Sequence, residues 1–528
     1  MLLDDEGGLA TLATLARTAR CFQEVALDTL WNSQTSLVPL IKCFPSYLWV
    51  EKPGYDGVRT VNLLGEPKSE DWTRVKFYAF RIRNLSLNPP IGVDTRWEGR
   101  VADDVFVALK KALGSDPFLP NLDSFGWAQG EAKEAYELAA FLLMLNPKVS
   151  SMNVVMTKWT EESERTIASA LDAYGHEGSQ LRSIKFECPG SSLIEKAVLN
   201  LGIRQHHLIS LQCAWETPLS LQTVNHFSAV HQLRQISIHV SQDTTHAMIE
   251  AGGGSRVLFP SLRSLEVHAE TLSVCEQWLR VVSSAALNGI SFVVDRPPVV
   301  TALQGFFSSL VRDDRFRGNL RSLRVVSKCP CARDAAGQVV TPGTLEPLLR
   351  LSLTSLQLEP GMPIDINDDF VERMANAWPS IRTLELGAEW RREVLAPRVT
   401  IQGLIPLALR CEELTKLALT FNADLSAFVE RYNSGQRPLD GVSFDPWSPF
   451  VLGVGASVVD PHTTVSMLAS VLSDLCPGLR VLQTAWDRAK GGPDWDYQEG
   501  QMETAWYQTH RYAKVMARTR RQERLWID

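Results

Sequence analysis

Ten histidines and nine cysteines are the residues of this 528-residue chain best suited to hold a metal or attack a substrate. A zinc site wants such ligands at short, defined spacings, with cysteine or carboxylate support. His206 and His207 are adjacent and a further group runs from His226 to His268, but neither shows that spacing. Cys329-Pro-Cys331 has too few partners nearby and reads as a loop with two free thiols. The glycine runs AGGGS around Gly252 and GVGAS from Gly453 lack the lysine or the fingerprint spacing of a phosphate cradle, and also read as loops. No nucleophile-elbow sequence and no HExxH is present. Serine, histidine and aspartate are plentiful, yet abundance does not make a triad. The expectation is no metal, no cofactor and no catalysis by this polypeptide.

Charge points away from nucleic acid and membrane. The formal net charge of −7 is small for the length, which excludes a generally cationic surface. No run of about 18 apolar residues is present to span a bilayer. The start, MLLDDEGG, lacks the basic-then-apolar pattern of a secretory signal. An odd number of scattered cysteines suits reduced thiols, so the expected location is cytoplasmic or nuclear. Basic residues do cluster at Arg511, Lys514, Arg518, Arg520, Arg521 and Arg524. Tyr512, Val515, Met516 and Leu525 interleave with them at near-helical spacing, as in a terminal helix with one side packed; a nuclear-localisation or nucleic-acid patch is the alternative reading.

The elements that position everything else come from a repeat. One phrase returns: LRSIKF at Leu181, LRQISI at Leu233, LRSLEV at Leu262, LRSLRV at Leu320, LTSLQL at Leu353, IRTLEL at Ile381 and LTKLAL at Leu414. Its template is apolar, two variable, apolar, one variable, apolar. Looser copies start at Ile82, Leu122, Val149, Leu208, Leu287, Leu439 and Leu479, making about fourteen windows spaced roughly 25 to 40 residues apart. Between copies lie helical stretches such as EAKEAYELAAFLLML and EESERTIASALDAYG, the second ending at Gly175. Each unit is thus a short strand followed by a helix, and such units bury their apolar sides only by stacking.

The expected fold is therefore α/β: an irregular leucine-rich-repeat solenoid with a parallel sheet on the concave face and helices on the convex face. The asparagine of the strict repeat stands at Asn422, but its equivalents are Pro189, Ser241, Glu270, Lys328, Gly361 and Glu389. Alternate strand residues face opposite ways. Lys185, Glu187, Gln235, His239, Glu266, His268, Arg324, Glu385 and Lys416 are therefore expected to line the concave face as a partner-binding patch. Their mixed charges specify no ligand class.

A separate helical module precedes the repeats. In LATLARTARCFQEVALDTLW the residues Leu12, Leu15, Thr18, Phe22, Leu30 and Trp31 follow a pattern of leucine, leucine, small residue, aromatic and a closing Leu-Trp. That stretch is similar to the second half of an F-box. With SLVPLIKCFP, EDWTRVKFYAFRIRNLSL and the irregular repeats behind it, nearly the whole chain resembles the F-box/leucine-rich-repeat proteins expanded in mushroom-forming fungi. A full F-box opens with a Leu-Pro, acidic, apolar helix; here only MLLDDEGG stands before Leu9, so the F-box is N-terminally incomplete.

The resemblance implies the substrate receptor of an SCF-type (cullin–RING) ubiquitin ligase. A Skp-type adaptor would dock on Leu12, Leu15, Thr18, Phe22, Leu30 and Trp31, and an unknown target protein on the repeats. The alternatives are a repeat scaffold or inhibitor with no ligase attached, or a decayed family member without adaptor binding. Those six residues also suit a helical cap closing the first repeat. The expected organisation is a partial F-box-like module at 1–45, a helical connector at 46–80, the solenoid at 81–490 and a helical tail at 491–528.

Overall fold

The repeated phrase forms a strand at each of its seven closest copies, and the strand starts two residues after the leading apolar residue. Leu181 precedes Ser183–Cys188, Leu262 precedes Ser264–Ala269, and Ile381 precedes Thr383–Leu386. In these three copies the leading residue, the fourth and the sixth are buried while the third and fifth are partly exposed, which is the period-two pattern of a strand with one covered face. The computed structural model describes residues 6–18, 20–53, 59–87, 99–114, 116–128, 140–156, 160–176, 180–205, 207–252, 258–329, 338–388, 396–436, 439, 441–459, 465–486 and 497–527.

The chain forms two units, Met1–His239 with Val257–Phe259, and Val240–Arg256 with Pro260–Asp528. The first opens with helices α1 (Glu6–Thr18) and α2 (Arg20–Asn32), and α2 runs straight into β1 (Ser33–Gln34). Next come β2 (Trp49–Pro53), β3 (Arg59–Leu63), α3 (Trp72–Ala79), β4 (Asn84–Leu87), β5 (Gly99–Val101) and α4 (Asp103–Leu113). The unit continues through β6 (Ser124–Ala128), β7 (Ser151–Val155), α5 (Glu161–His176), β8 (Ser183–Cys188), α6 (Ser192–Arg204), β9 (Ser210–Trp215), α7 (Leu221–Ser228) and β10 (Gln235–His239). Its main sheet is parallel, in the order β1-β4-β6-β7-β8-β9-β10.

Strands β2, β3 and β5 form a separate small sheet, with β2 and β3 antiparallel and β3 and β5 parallel. Two expectations are corrected here. The segment 46–80 is not a wholly helical connector, because Trp49–Pro53 and Arg59–Leu63 pair before α3 begins. The module at 1–45 is not separate from the repeats, because Ser33 and Gln34 pair with Asn84 and Leu85 as an added strand.

The second unit holds α8 (Gln242–Gly252), β11 (Ser264–Ala269), α9 (Leu272–Val281), β12 (Gly289–Val294), α10 (Val300–Arg312), β13 (Ser322–Ser327), β14 (Ser355–Glu359), α11 (Asp368–Ala377) and β15 (Thr383–Leu386). It ends with α12 (Ile405–Arg410), β16 (Lys416–Leu419), β17 (Phe450–Gly453), α13 (Val465–Leu475), β18 (Leu479–Gln483) and the long α14 (Tyr497–Ile527). Its strands β11 to β18 also lie in chain order and pair in parallel. Among the described residues of the window at Leu439 there is no strand. Leu439 and Phe444 are buried in a turn region, and the strand is supplied further on by Phe450–Gly453.

One backbone device recurs in both units. At most of the parallel strands, the carbonyl just before the strand accepts two N–H groups from the start of the next strand. Ser150 O takes Arg182 N at 2.7 Å and Ser183 N at 3.0 Å. Arg182 O takes Ile209 N at 2.7 Å and Ser210 N at 3.0 Å, and in the second unit Asn288 O takes Arg321 N and Ser322 N at 2.8 and 3.0 Å. Both carbonyl lone pairs are thereby used at the strand start.

The helices of the first unit are linked by a relay of caps. Ser191 caps α6 by accepting from Ile194 N, and its hydroxyl donates to Glu164 of α5. Ser220 caps α7 by accepting from Thr223 N, and its hydroxyl donates to Glu195 of α6 at 2.6 Å. Each N-cap contributes about 1 kcal/mol.

Candidate functional site

The six N-terminal residues divide between inward and outward positions. Leu12, Leu30 and Trp31 are half-buried, and the Trp31 ring stacks on Tyr78 of α3 with centroids 4.6 Å apart. The next link is ionic. Arg81, largely covered, pairs with Asp28 and, at 2.6 Å, with Glu24, while its guanidinium lies 4.5 Å over the Phe77 ring. Helix α2 is thereby clamped to the chain just after α3. On the other side, Leu15 and Thr18 are exposed and Phe22 is 53% exposed. Val25, which the pattern did not single out, is 69% exposed one turn further along α2. The α1–α2 pair therefore presents Leu15, Phe22 and Val25 outward while Trp31 fastens it to its own chain.

The second candidate surface is the outward strand face, and each unit carries its own part. In the second unit the strand register aligns Glu266, Ser291, Arg324, Gln357 and Glu385 in one row. Glu266 accepts from Ser291 Oγ at 2.9 Å and lies 3.0 Å from His268 Nε2. Arg324 reaches Ser291 Oγ at 3.2 Å, Gln357 Oε1 at 3.0 Å and the Glu266 carboxylate at 3.8 Å. Glu385 pairs with Lys416 at 2.9 Å. Three expected residues, Glu266, His268 and Arg324, thus join through Ser291 and Gln357, and the Glu385–Lys416 pair stands beside them as a separate link. Both missed residues occupy the fifth place of the template, so the phrase marks them although they carry no charge.

In the first unit Lys185 and Glu187 pair with each other two residues apart on β8. Gln235 is exposed on β10 and accepts from Ser210 Oγ at 3.4 Å. His239 departs from expectation. It is buried, and its Nδ1 donates to the Trp215 carbonyl at 3.0 Å, so the ring is satisfied inside the protein instead of lining an open face.

Among the described residues no group of histidine, cysteine and acidic side chains could hold a metal ion. His206 and Cys331 lie outside the described residues, as do most of the AGGGS run and the side chain of Arg524. Burial pushes the Cys188 thiol up to about 12 and that of Cys411 to about 11, and raises Cys213, Cys275 and Cys476 further. A thiol held protonated is a poor nucleophile. Cys21 and Cys329 are exposed. The expected outcome of brief alkylation of the native protein near pH 8 is modification at Cys21 and Cys329, with Cys188, Cys213, Cys275, Cys411 and Cys476 protected until denaturant is added. Peptide mapping by mass spectrometry reads this directly, and early labelling of the five would contradict the packing.

Comparison with protein-family models and with curated proteins returns no match for this chain. No described helix is long and apolar enough to cross a membrane.

Proposed function

We propose that this chain is a protein-binding substrate receptor of an SCF-type ubiquitin ligase, acting in the cytoplasm or nucleus. In this reading the α1–α2 pair docks a Skp-type adaptor, the strand face holds the protein to be modified, and the ubiquitin chemistry belongs to the partners. One observation carries it: α1 and α2 keep Leu15 and Phe22, two residues of the stretch that resembles the second half of an F-box, outward, with Val25 exposed beside them. Large apolar side chains held on a short helical pair, with their helices fastened from behind by Trp31 and Arg81, suit a partner helix. The irregular leucine-rich-repeat reading of the strand–helix units belongs to the same proposal.

A second reading, a repeat scaffold with no ligase attached, draws on a different observation. β1 continues α2 and pairs with β4, so α2 also serves as the lead-in to the first strand. Co-purification with a Skp-type adaptor separates the two. Leu15 and Phe22 are exposed, so Leu15→Ala with Phe22→Ala should leave thermal stability within about 0.5 kcal/mol. If the hairpin is an adaptor site, the pair weakens binding by at least thirtyfold, equivalent to about 2 kcal/mol. Trp31→Ala should instead lower stability, because it removes the ring stacked on Tyr78. Adaptor binding that survives the double change, or no binding by the parent chain, defeats the receptor reading and leaves the scaffold.

A further inference from the structure

A second cluster of interface-type side chains lies in the second unit, along α14. The inner stripe of that helix is filled by Trp506, Thr509 and Ala513, all buried, with Arg520 tied to Asp474 at 2.6 Å. Along one flank run Tyr507, Arg511, Lys514, Arg518 and Arg521, alternately four and three residues apart, so that they form one straight line of exposed side chains. Arg521 lies 5.5 Å over the Trp447 ring and donates to the Pro446 carbonyl at 2.9 Å, and the Trp447 side chain is 78% exposed. From Tyr507 to Gln522 the helix carries Arg511, Lys514, Arg518, Arg520 and Arg521 and no acidic residue, in a chain whose net charge is −7. Among the described residues no ion pair holds Arg511, Lys514, Arg518 or Arg521.

We propose that this stripe, with Trp447 at one end, binds an acidic segment of another protein. The side chains are those that dominate protein interfaces: tyrosine and tryptophan supply rigid area, and arginine adds forked hydrogen bonds to carboxylates. The stripe spans roughly 21 Å at 1.5 Å per residue, enough for about six extended residues of a partner. Its sign selects an acidic one. A nucleic-acid strand is disfavoured because the flank of a helix is convex and offers no groove to track a backbone. A lipid surface is disfavoured because Val515 is the one aliphatic side chain among the exposed residues of Tyr507–Gln522.

The test is fluorescence anisotropy of the full chain with a labelled peptide alternating glutamate or aspartate with leucine or phenylalanine, at about 0.15 M salt. The expected result is saturable binding that falls at least tenfold in Arg511→Glu with Arg518→Glu, and again in Trp447→Ala. Arg312→Glu with Arg317→Glu, an equal charge change at exposed positions elsewhere in the unit, should leave binding unchanged. Circular dichroism confirms that each variant is folded. Failure of the peptide to bind, or binding indifferent to the reversal at Arg511 and Arg518, overturns the proposal. So does tighter reversal-sensitive binding of single-stranded RNA or of phosphatidylserine vesicles. Leu15→Ala with Phe22→Ala lies in the other unit and should not alter this readout.

Discussion

Trp378→Ala should cost roughly 3–5 kcal/mol, the range for truncating a large aromatic in a packed core. Trp378 follows α11 and is among the largest fully buried side chains of the second unit. Its indole N–H donates to the Leu351 carbonyl at 2.9 Å, joining the segment after α11 to the residues that lead into β14. Its own backbone closes the helix by donating to Met374 O, and its carbonyl accepts from Ile381 N at the start of the next repeat phrase. Truncation to alanine therefore leaves a cavity and strands a buried carbonyl together. Trp378→Phe separates the two effects. It retains most of the volume and loses the hydrogen bond, for an expected cost of about 1–3 kcal/mol. Urea denaturation monitored by circular dichroism reads both. An alanine variant within about 1 kcal/mol of the parent would mean that the indole is not packed as described.

Arg520→Ala is expected to be nearly as damaging, although Arg520 sits on a basic helix that sequence alone would treat as surface. Asp474, near the end of α13, has a side chain only 7% exposed, and Arg520 meets its Oδ1 at 2.6 Å. The same guanidinium donates to Ser473 Oγ, to Ser470 Oγ at 3.0 Å and to the Ser470 carbonyl at 3.4 Å. Removing the cation leaves a carboxylate with little access to water, at a typical cost of 3–5 kcal/mol. The double change Arg520→Met with Asp474→Leu replaces the pair by apolar groups of similar volume and should recover most of the loss. If Arg520→Ala alone is neutral, the ion pair does not form in solution. If the double variant is no better than the single one, the damage comes from the lost hydrogen bonds to Ser470 and Ser473.

The strands were legible because a period of two in a leucine-rich phrase has few other meanings. Leu262, Leu265 and Val267 had to point one way, and they are buried. The strand at Phe450 obeys the same template, Trp447 to Leu452, but Pro449 and the tryptophan lead disguised it, and LDGVSF at Leu439 drew the assignment instead. The small sheet of β2, β3 and β5 stayed hidden because its strands are short and separated by unrelated chain. At the amino-terminal surface, sequence named the residues but not their directions. A helical stripe marks apolar residues without saying which neighbour they meet, so the turn of Trp31 toward Tyr78 and of Phe22 away from the protein required coordinates. For His239, alternation along β10 suggested an open face, and the proximity of the Trp215 carbonyl decided otherwise.

The doubly accepting carbonyls have a consequence for how such a chain can change over generations. They fix the start of most strands against the neighbouring strand, while the described loops that join helix to strand carry no such repeated bond. The spacing of strand starts between sheet neighbours accordingly varies from 25 residues, Ser264 to Gly289, to 51 residues, Ser33 to Asn84. Lengthening a connection adds little closure cost, since the entropy grows only with the logarithm of loop length. A residue inserted inside the phrase, by contrast, turns every following side chain of that strand to the opposite face. A change of length in a connecting loop is therefore expected to cost less than one inside the repeated phrase.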